Sequence, residues 1–208
     1  MRPRWAPSML ATVALLLAAC TSAEEPTPPT FAKGRPTDGA SPQALVRLKH
    51  EAGIAACPRL PAVGGPAADG LPDITLGCLG GGRPVNLAAL RGVPTVVNVW
   101  AQYCGPCVQE SPLFQRLHEE KGTPVRVIGV DFDDPLTARA ISFAASVGIT
   151  YPQLTDPDTD LRTTMGVTAL PVTFFVDAQG RVTERLIGPV TSYDQLTSLV
   201  RDHLGVTL

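Results

Sequence analysis

Trp100-Ala101-Gln102-Tyr103-Cys104-Gly105-Pro106-Cys107 places two cysteines three residues apart, between a β-branched run and a helical pattern. The run, residues 94–100, contains Val96, Val97 and Val99 and reads as a buried strand. The helical pattern, residues 105–121, has Leu113, Phe114 and Leu117 on one face and Gly122 as its stop. Cys104 and Cys107 thus sit one turn apart at a helix N-terminus, near enough to form a small-ring disulfide or to stand as two thiols. Unpaired helix amides and the positive end of the helix dipole favour the Cys104 thiolate. Pro106 suits a first turn, where a missing N–H costs little.

Outward from this junction the pattern stays regular. Residues 125–130, with Val127 and Ile128, predict a second interior strand, so the order is strand, helix, strand. A helix over 135–147, a strand over 151–154, a helix over 158–165 and a strong strand over 172–176 follow. Ala178-Gln179-Gly180 then turns the chain into residues 181–187. Thr191, with Asp194 three residues on, caps a last helix carrying Leu196, Leu199 and Val200. Upstream, Ser41-Pro42 opens a short helix with Leu45, Leu48 and Ala52 on one face, ending near Ala56. Residues 57–82 are rich in Gly and Pro, with one strand at 74–76 and Gly80-Gly81-Gly82 as a loop. This order predicts an α/β fold, a central mixed β-sheet flanked by helices.

The chain has 208 residues, 44% hydrophobic, which suits one domain plus some excess chain. Its 17 basic and 19 acidic side chains form no long run of one sign, which argues against a nucleic-acid partner. Arg2 and Arg4 precede an apolar stretch at 9–19 that would span about 16 Å as a helix, against roughly 30 Å of bilayer hydrocarbon. Residues 1–19 therefore read as a secretion signal rather than a transmembrane helix. Leu17-Ala18-Ala19-Cys20 resembles the lipobox of bacterial lipoproteins, which implies lipid on Cys20 and export to a compartment that permits disulfides. Residues 20–40, with Pro26, Pro28, Pro29 and Pro36, read as a flexible tether to a folded domain at 41–208, its core at about 70–208.

Over that core the sequence resembles the thioredoxin superfamily, and within it the TlpA/ResA-like thiol-disulfide oxidoreductases. The resemblance is carried by the 100–107 motif and by Ala169-Leu170-Pro171-Val172-Thr173, similar to the family's cis-proline loop. It is carried further by the extra helix and strand between Asp131 and Leu170, and by the lead-in from Gly82-Arg83-Pro84-Val85-Asn86-Leu87 to Leu90-Arg91-Gly92. It implies a thioredoxin-like fold with a TlpA-type helix–strand insertion. Cys104 is then the nucleophile and Cys107 the resolving thiol, with substrate contacts at Trp100, Gly105, Pro106, Leu170 and Pro171. The implied partners are protein thiols or disulfides, apocytochrome c thiols among them, and a membrane redox partner that donates or accepts electrons. The implied location is the outer face of the plasma membrane or the periplasm, through the lipid on Cys20, with no cofactor.

Where thioredoxins have a buried Asp before the motif, this chain has Asn98, which cannot take a proton. Glu110, three residues past Cys107 on the same helical face, is the expected substitute as proton acceptor for Cys107; the alternative is a solvated helix acid. Haem attachment is excluded by Val108 after the second cysteine, and no second CxxC completes a zinc site, so no metal is expected. His118 lies about 21 Å along the helix from Cys104, too far to be its base. Gly105-Pro106 resembles reducing thioredoxins and favours a reductase; thiol oxidation by the same residues, or Cu(I) binding by a metallochaperone, stays open.

Of five cysteines, Cys57 and Cys78 are left over. They are expected to form a structural disulfide closing roughly 22 residues and stabilising by about 3 kcal/mol. The alternative, a second redox pair, lacks any neighbouring acid, base or CxxC partner in the sequence.

Overall fold

The computed structural model describes residues 39–61, 65–120 and 124–208. The expected signal, Cys20, nearly all of the tether, and Gly122 lie outside the described residues.

The elements are α1 (Pro42–Glu51), β1 (Thr75–Cys78), β2 (Val85–Asn86), a short 3-10 turn (Leu87–Ala89), β3 (Thr95–Trp100), α2 (Gly105–Glu119), β4 (Arg126–Phe132), α3 (Thr137–Ser146), β5 (Gln153–Asp156), α4 (Asp160–Met165), β6 (Val172–Val176), β7 (Val182–Ile187) and α5 (Tyr193–Leu204). One seven-stranded sheet runs β2-β1-β5-β4-β3-β6-β7. The β3–β4 and β4–β5 pairs are parallel and the other four antiparallel, so the sheet is mixed as expected. Parallel neighbours need a crossover, and α2 and α3 supply the two required here.

Every residue of β3 is buried, because both faces of the sheet are covered. Val96 and Trp100 pack with Phe114 and Leu117 of α2, Ile141 of α3, and Leu196 and Val200 of α5. Val97 and Val99 point the opposite way, into a second core with Ile128, Val130, Leu161 and Phe174. A strand buried on both sides reads as a continuous apolar run rather than an alternating one. By the same period of two, Asn98 shares its face with Val96 and Trp100.

Several boundaries differ from the sequence reading, each for a local reason. Helix α1 stops at Glu51 rather than near Ala56, because Gly53 turns left-handed at φ +70° and Ala55 N donates to the Thr150 carbonyl at 2.8 Å. Helix α4 starts at Asp160, where the Asp156 carboxylate accepts from Asp160 N at 2.8 Å and Leu161 N at 2.9 Å. The cap of α5 is Ser192, not Thr191. Ser192 Oγ accepts from Gln195 N at 3.1 Å, and Gln195 Oε1 accepts from Thr191 N at 2.8 Å, so Gln195 takes the place expected of Asp194. Strand β1 reaches Cys78, which pairs with Leu154.

Candidate active site

The topology gathers the site at one end of the sheet. β3 and β4 are parallel, so their C-terminal ends coincide, with Trp100 opposite Asp131. β6 is antiparallel to β3, so its start meets the same end, with Val172 opposite Val99. The 100–107 motif, the 131–134 acids and the 169–171 loop thereby converge.

Cys104 is the N-cap of α2, in extended conformation at φ −88° and ψ 100°, with Pro106 in the first turn. Its Sγ accepts from Cys107 N at 3.3 Å, the cap bond a Ser or Asp oxygen usually makes. Cys104 is joined to Cys107 in a disulfide with the Cα atoms 5.3 Å apart. Cys104 is 8% exposed and Cys107 fully covered, so only the first sulfur can be approached from outside. A cleft of about 380 Å³ opens over it, lined by Tyr103, Cys104, Gly105, Pro106, Phe132, Asp133, Arg162, Thr168, Ala169 and Leu170.

Two of the expected substrate contacts lie buried beside the cleft rather than on its walls. Trp100 is 1% exposed and turned into the core, where its ring stacks on Phe143 at 5.0 Å and Nε1 donates to Gln153 Oε1 at 2.8 Å. Glycine at 129 makes this possible, since any Cβ there would collide with the Gln153 amide. Pro171 is buried after a cis Leu170–Pro171 peptide bond, and its carbonyl accepts from Gly188 N at 2.9 Å. It follows directly on Leu170, which lines the cleft. Gly105, Pro106 and Leu170 do line the cleft.

Glu110 is fully buried, which overturns the solvated-acid alternative. Its Oε1 accepts from Asn98 Nδ2 at 2.7 Å and its Oε2 from Val190 N at 2.9 Å. Burial pushes its carboxyl up to about 7, and the bonds from Val190 and Asn98, which favour the charged form, pull partly back. A buried acid poised near neutrality can take and return a proton with little driving force either way.

This end of the sheet has features the sequence reading missed. Asp131 is buried with both carboxylate oxygens lacking a hydrogen-bond partner among the described residues, and burial, then Asp134, pushes its carboxyl well above the ordinary range. The Tyr103 hydroxyl is pushed up by burial and then by Asp133, Asp134 and Asp131. Arg162 donates to Asp133 at 2.7 Å. The signal available was Asp131-Phe132-Asp133-Asp134 at the end of a strand parallel to the motif strand, where α/β ligand sites collect.

Away from this cleft, Cys57 and Cys78 form a second disulfide, Cα atoms 6.0 Å apart. Lys49 Nζ donates to Cys78 Sγ at 2.9 Å and to the Gly81 carbonyl at 3.1 Å.

A paired CxxC at the start of a helix, just after an interior strand of a mixed sheet and sharing a cleft with a cis-proline loop, defines a thioredoxin-like protein. Residues 66–199 match the Redoxin family, and the chain belongs to it. The thiol:disulfide interchange protein DsbE of Pseudomonas fluorescens biotype C is 34% identical over 120 residues, 57% of this chain and 65% of that protein. The thiol-disulfide oxidoreductase ResA of Bacillus thuringiensis (strain Al Hakam) is 33% identical over 113 residues, 53% of this chain and 64% of that protein. The chain thus spans just under two thirds of the length of these curated relatives. The crystal structure of a DsbF homologue from Corynebacterium diphtheriae superposes with a TM-score of 0.57 at 27% identity, covering 69% of this chain and 91% of that one.

Proposed function

We propose that this protein is an extracytoplasmic thiol-disulfide oxidoreductase that reduces protein disulfides by dithiol–disulfide exchange. The observation that carries the reading is the pairing of Cys104, at the mouth of a cleft and on the first amides of α2, with Cys107 sealed behind it.

In the reduced protein the Cys104 thiolate attacks one sulfur of a substrate disulfide. A mixed disulfide forms and the first substrate sulfur leaves as a thiolate. Cys107, losing its proton to Glu110, then attacks Cys104 Sγ. The second substrate sulfur leaves, and the Cys104–Cys107 disulfide remains. The substrate has gained two electrons and, from solvent and Glu110, two protons. Gly105, Pro106 and Leu170 form the walls against which a substrate segment lies, with Tyr103 and Arg162 at the rim. A membrane redox partner supplies the electrons that reopen the disulfide, and the lipid on Cys20 holds the domain beside that partner.

Equilibration with redox buffers tests the direction. A Cys104–Cys107 potential near thioredoxin's roughly −270 mV supports reduction, and one near DsbA's roughly −120 mV assigns the protein to thiol oxidation instead.

A further inference from the structure

We propose that Cys57–Cys78 is a second thiol–disulfide exchange centre, opened by an anionic low-molecular-weight thiol that attacks Cys57 from a basic cleft while Cys78 leaves as a thiolate held by Lys49. The site is separate from the Cys104 cleft. Lys49 and Cys57 both precede the residues that match the Redoxin family.

The two sulfurs have opposite surroundings. Cys78 Sγ lies against the Lys49 ammonium at 2.9 Å, whereas Cys57 Sγ lies 3.3 Å from the Gln153 carbonyl oxygen. An ammonium donor favours a thiolate, and a carbonyl acceptor favours a protonated thiol. Reduction therefore places the negative charge on Cys78 and the proton on Cys57. Lys49 is buried at 8% exposure and both of its acceptors among the described residues are neutral, so the thiolate would give this charge a counter-ion. A disulfide sulfur whose partner leaves as a stabilised thiolate is opened faster. Gly82 borders the pair, and its φ of +124° is what requires glycine there.

The attacked atom and the class of attacker follow from the cleft. A space of about 550 Å³ is lined by Cys57 together with Lys49, His50, Arg59 and Arg83, and by no acid among the described residues. Cys57 is only 7% exposed, so a small thiol can reach it where a folded protein's thiol cannot. Its carboxylates would meet Arg59 and Arg83, both exposed on the rim. The incoming thiolate bonds to Cys57 Sγ, the Cys57–Cys78 bond breaks, and its electron pair goes to Cys78. A second thiol then attacks the mixed disulfide at the small molecule's sulfur. That step releases an oxidised small-molecule disulfide and leaves Cys57 as a thiol, so two small thiols are oxidised for one protein disulfide reduced.

The test uses the full chain with Cys104→Ser and Cys107→Ser, which leaves this disulfide as the only one among the described residues. The protein is exposed to reduced glutathione or to 2-mercaptoethanol at equal thiolate concentration, quenched in acid and mapped by peptide mass. The expected result is a glutathione adduct on Cys57 with Cys78 free, formed about tenfold faster than the 2-mercaptoethanol adduct. Arg59→Ala with Arg83→Ala should abolish that preference, and Lys49→Met should slow opening by both thiols about tenfold. First adducts on Cys78, no preference for glutathione, or a bond that opens only when the chain unfolds would each overturn the proposal. Should Lys49→Met not fold, the adduct map and the two rim arginines decide it.

Discussion

Asn98 Nδ2 donates to Glu110 Oε1 at 2.7 Å, from the centre of β3 to the second turn of α2. Asn98 is itself fully enclosed and also donates to Thr173 Oγ1 at 3.3 Å. A strand amide thus holds the acid that a thioredoxin would carry on the strand itself. In the proposed mechanism the proton-accepting carboxylate sits on the cysteine helix, one turn past Cys107.

Glu110 should leave a signature in stability against pH. Its carboxyl titrates at about 7 in the fold and near 4.5 in the unfolded chain, so between these values the native state binds the extra proton. Stability contributed by this group is therefore present at pH 4.5 and falls as pH rises to about 7, by on the order of 3 kcal/mol. Glu110→Gln should remove that slope in denaturant unfolding measured from pH 5 to 8. The fold should survive, because Asn98 can turn its carbonyl toward the new amide. Release of the mixed disulfide should slow about 100-fold, the lower end of what general acid–base help contributes. Unchanged release over the same pH range would remove Glu110 from the mechanism.

Asp131→Asn should stabilise the protein more at pH 8 than at pH 5. Its buried carboxyl lacks a hydrogen-bond partner among the described residues and is held well above the ordinary range, so its ionisation is a cost that grows with pH. A neutral amide avoids that cost, by about 1–3 kcal/mol at the alkaline end. Urea midpoints at the two pH values give the comparison, and an equal shift at both would mean that Asp131 is ionised across this range in the fold as it is in the unfolded chain.

Trp100→Phe separates packing from substrate contact. It removes the donor to Gln153 Oε1 and leaves a buried acceptor unpaired, at a cost of about 1–3 kcal/mol. With the ring buried against Phe143, KM for a protein disulfide should stay unchanged. A raised KM with unchanged stability would restore Trp100 to the substrate surface.

The strands were legible where burial on both faces made their composition extreme. The range 172–176 was read as found, and residues 94–100 lost only Pro94, which cannot donate to the ladder. The cysteine pair was legible because its spacing and its helix start are local. Glu110 was legible as a position on the Cys107 face, but its burial depends on Val190, eighty residues on. Lys49 was invisible as a partner of Cys78 because α1 and β1 are brought together only in the fold, 29 residues apart. The neighbouring base that the sequence reading found wanting for Cys57 and Cys78 is supplied by a helix with no motif of its own. Asp131 was missed for a related reason, since an acid in a strand is expected at an exposed position and this one pairs with Trp100 inside the sheet.

In the reduced protein Cys104 should be the thiol that alkylates readily at its motif. Cys107 N approaches its sulfur at 3.3 Å, and the first turn of α2 adds the positive end of the helix dipole, both favouring the thiolate. The acids at 131, 133 and 134 act against this, since they already push the neighbouring Tyr103 hydroxyl up. The helix contribution is direct and the acids' is partly offset by Arg162, so the thiol pKa should fall below the reference of about 8.5. Cys107, fully covered, has no path for an alkylating reagent. Iodoacetamide pulses across pH 5–9, read by peptide mass, should show Cys104 modified at least about tenfold faster than Cys107, with the midpoint below the free-thiol value. Faster modification of Cys107 would reverse the roles of nucleophile and resolving thiol, and a midpoint above about 8.5 would mean that the acidic cluster outweighs the helix.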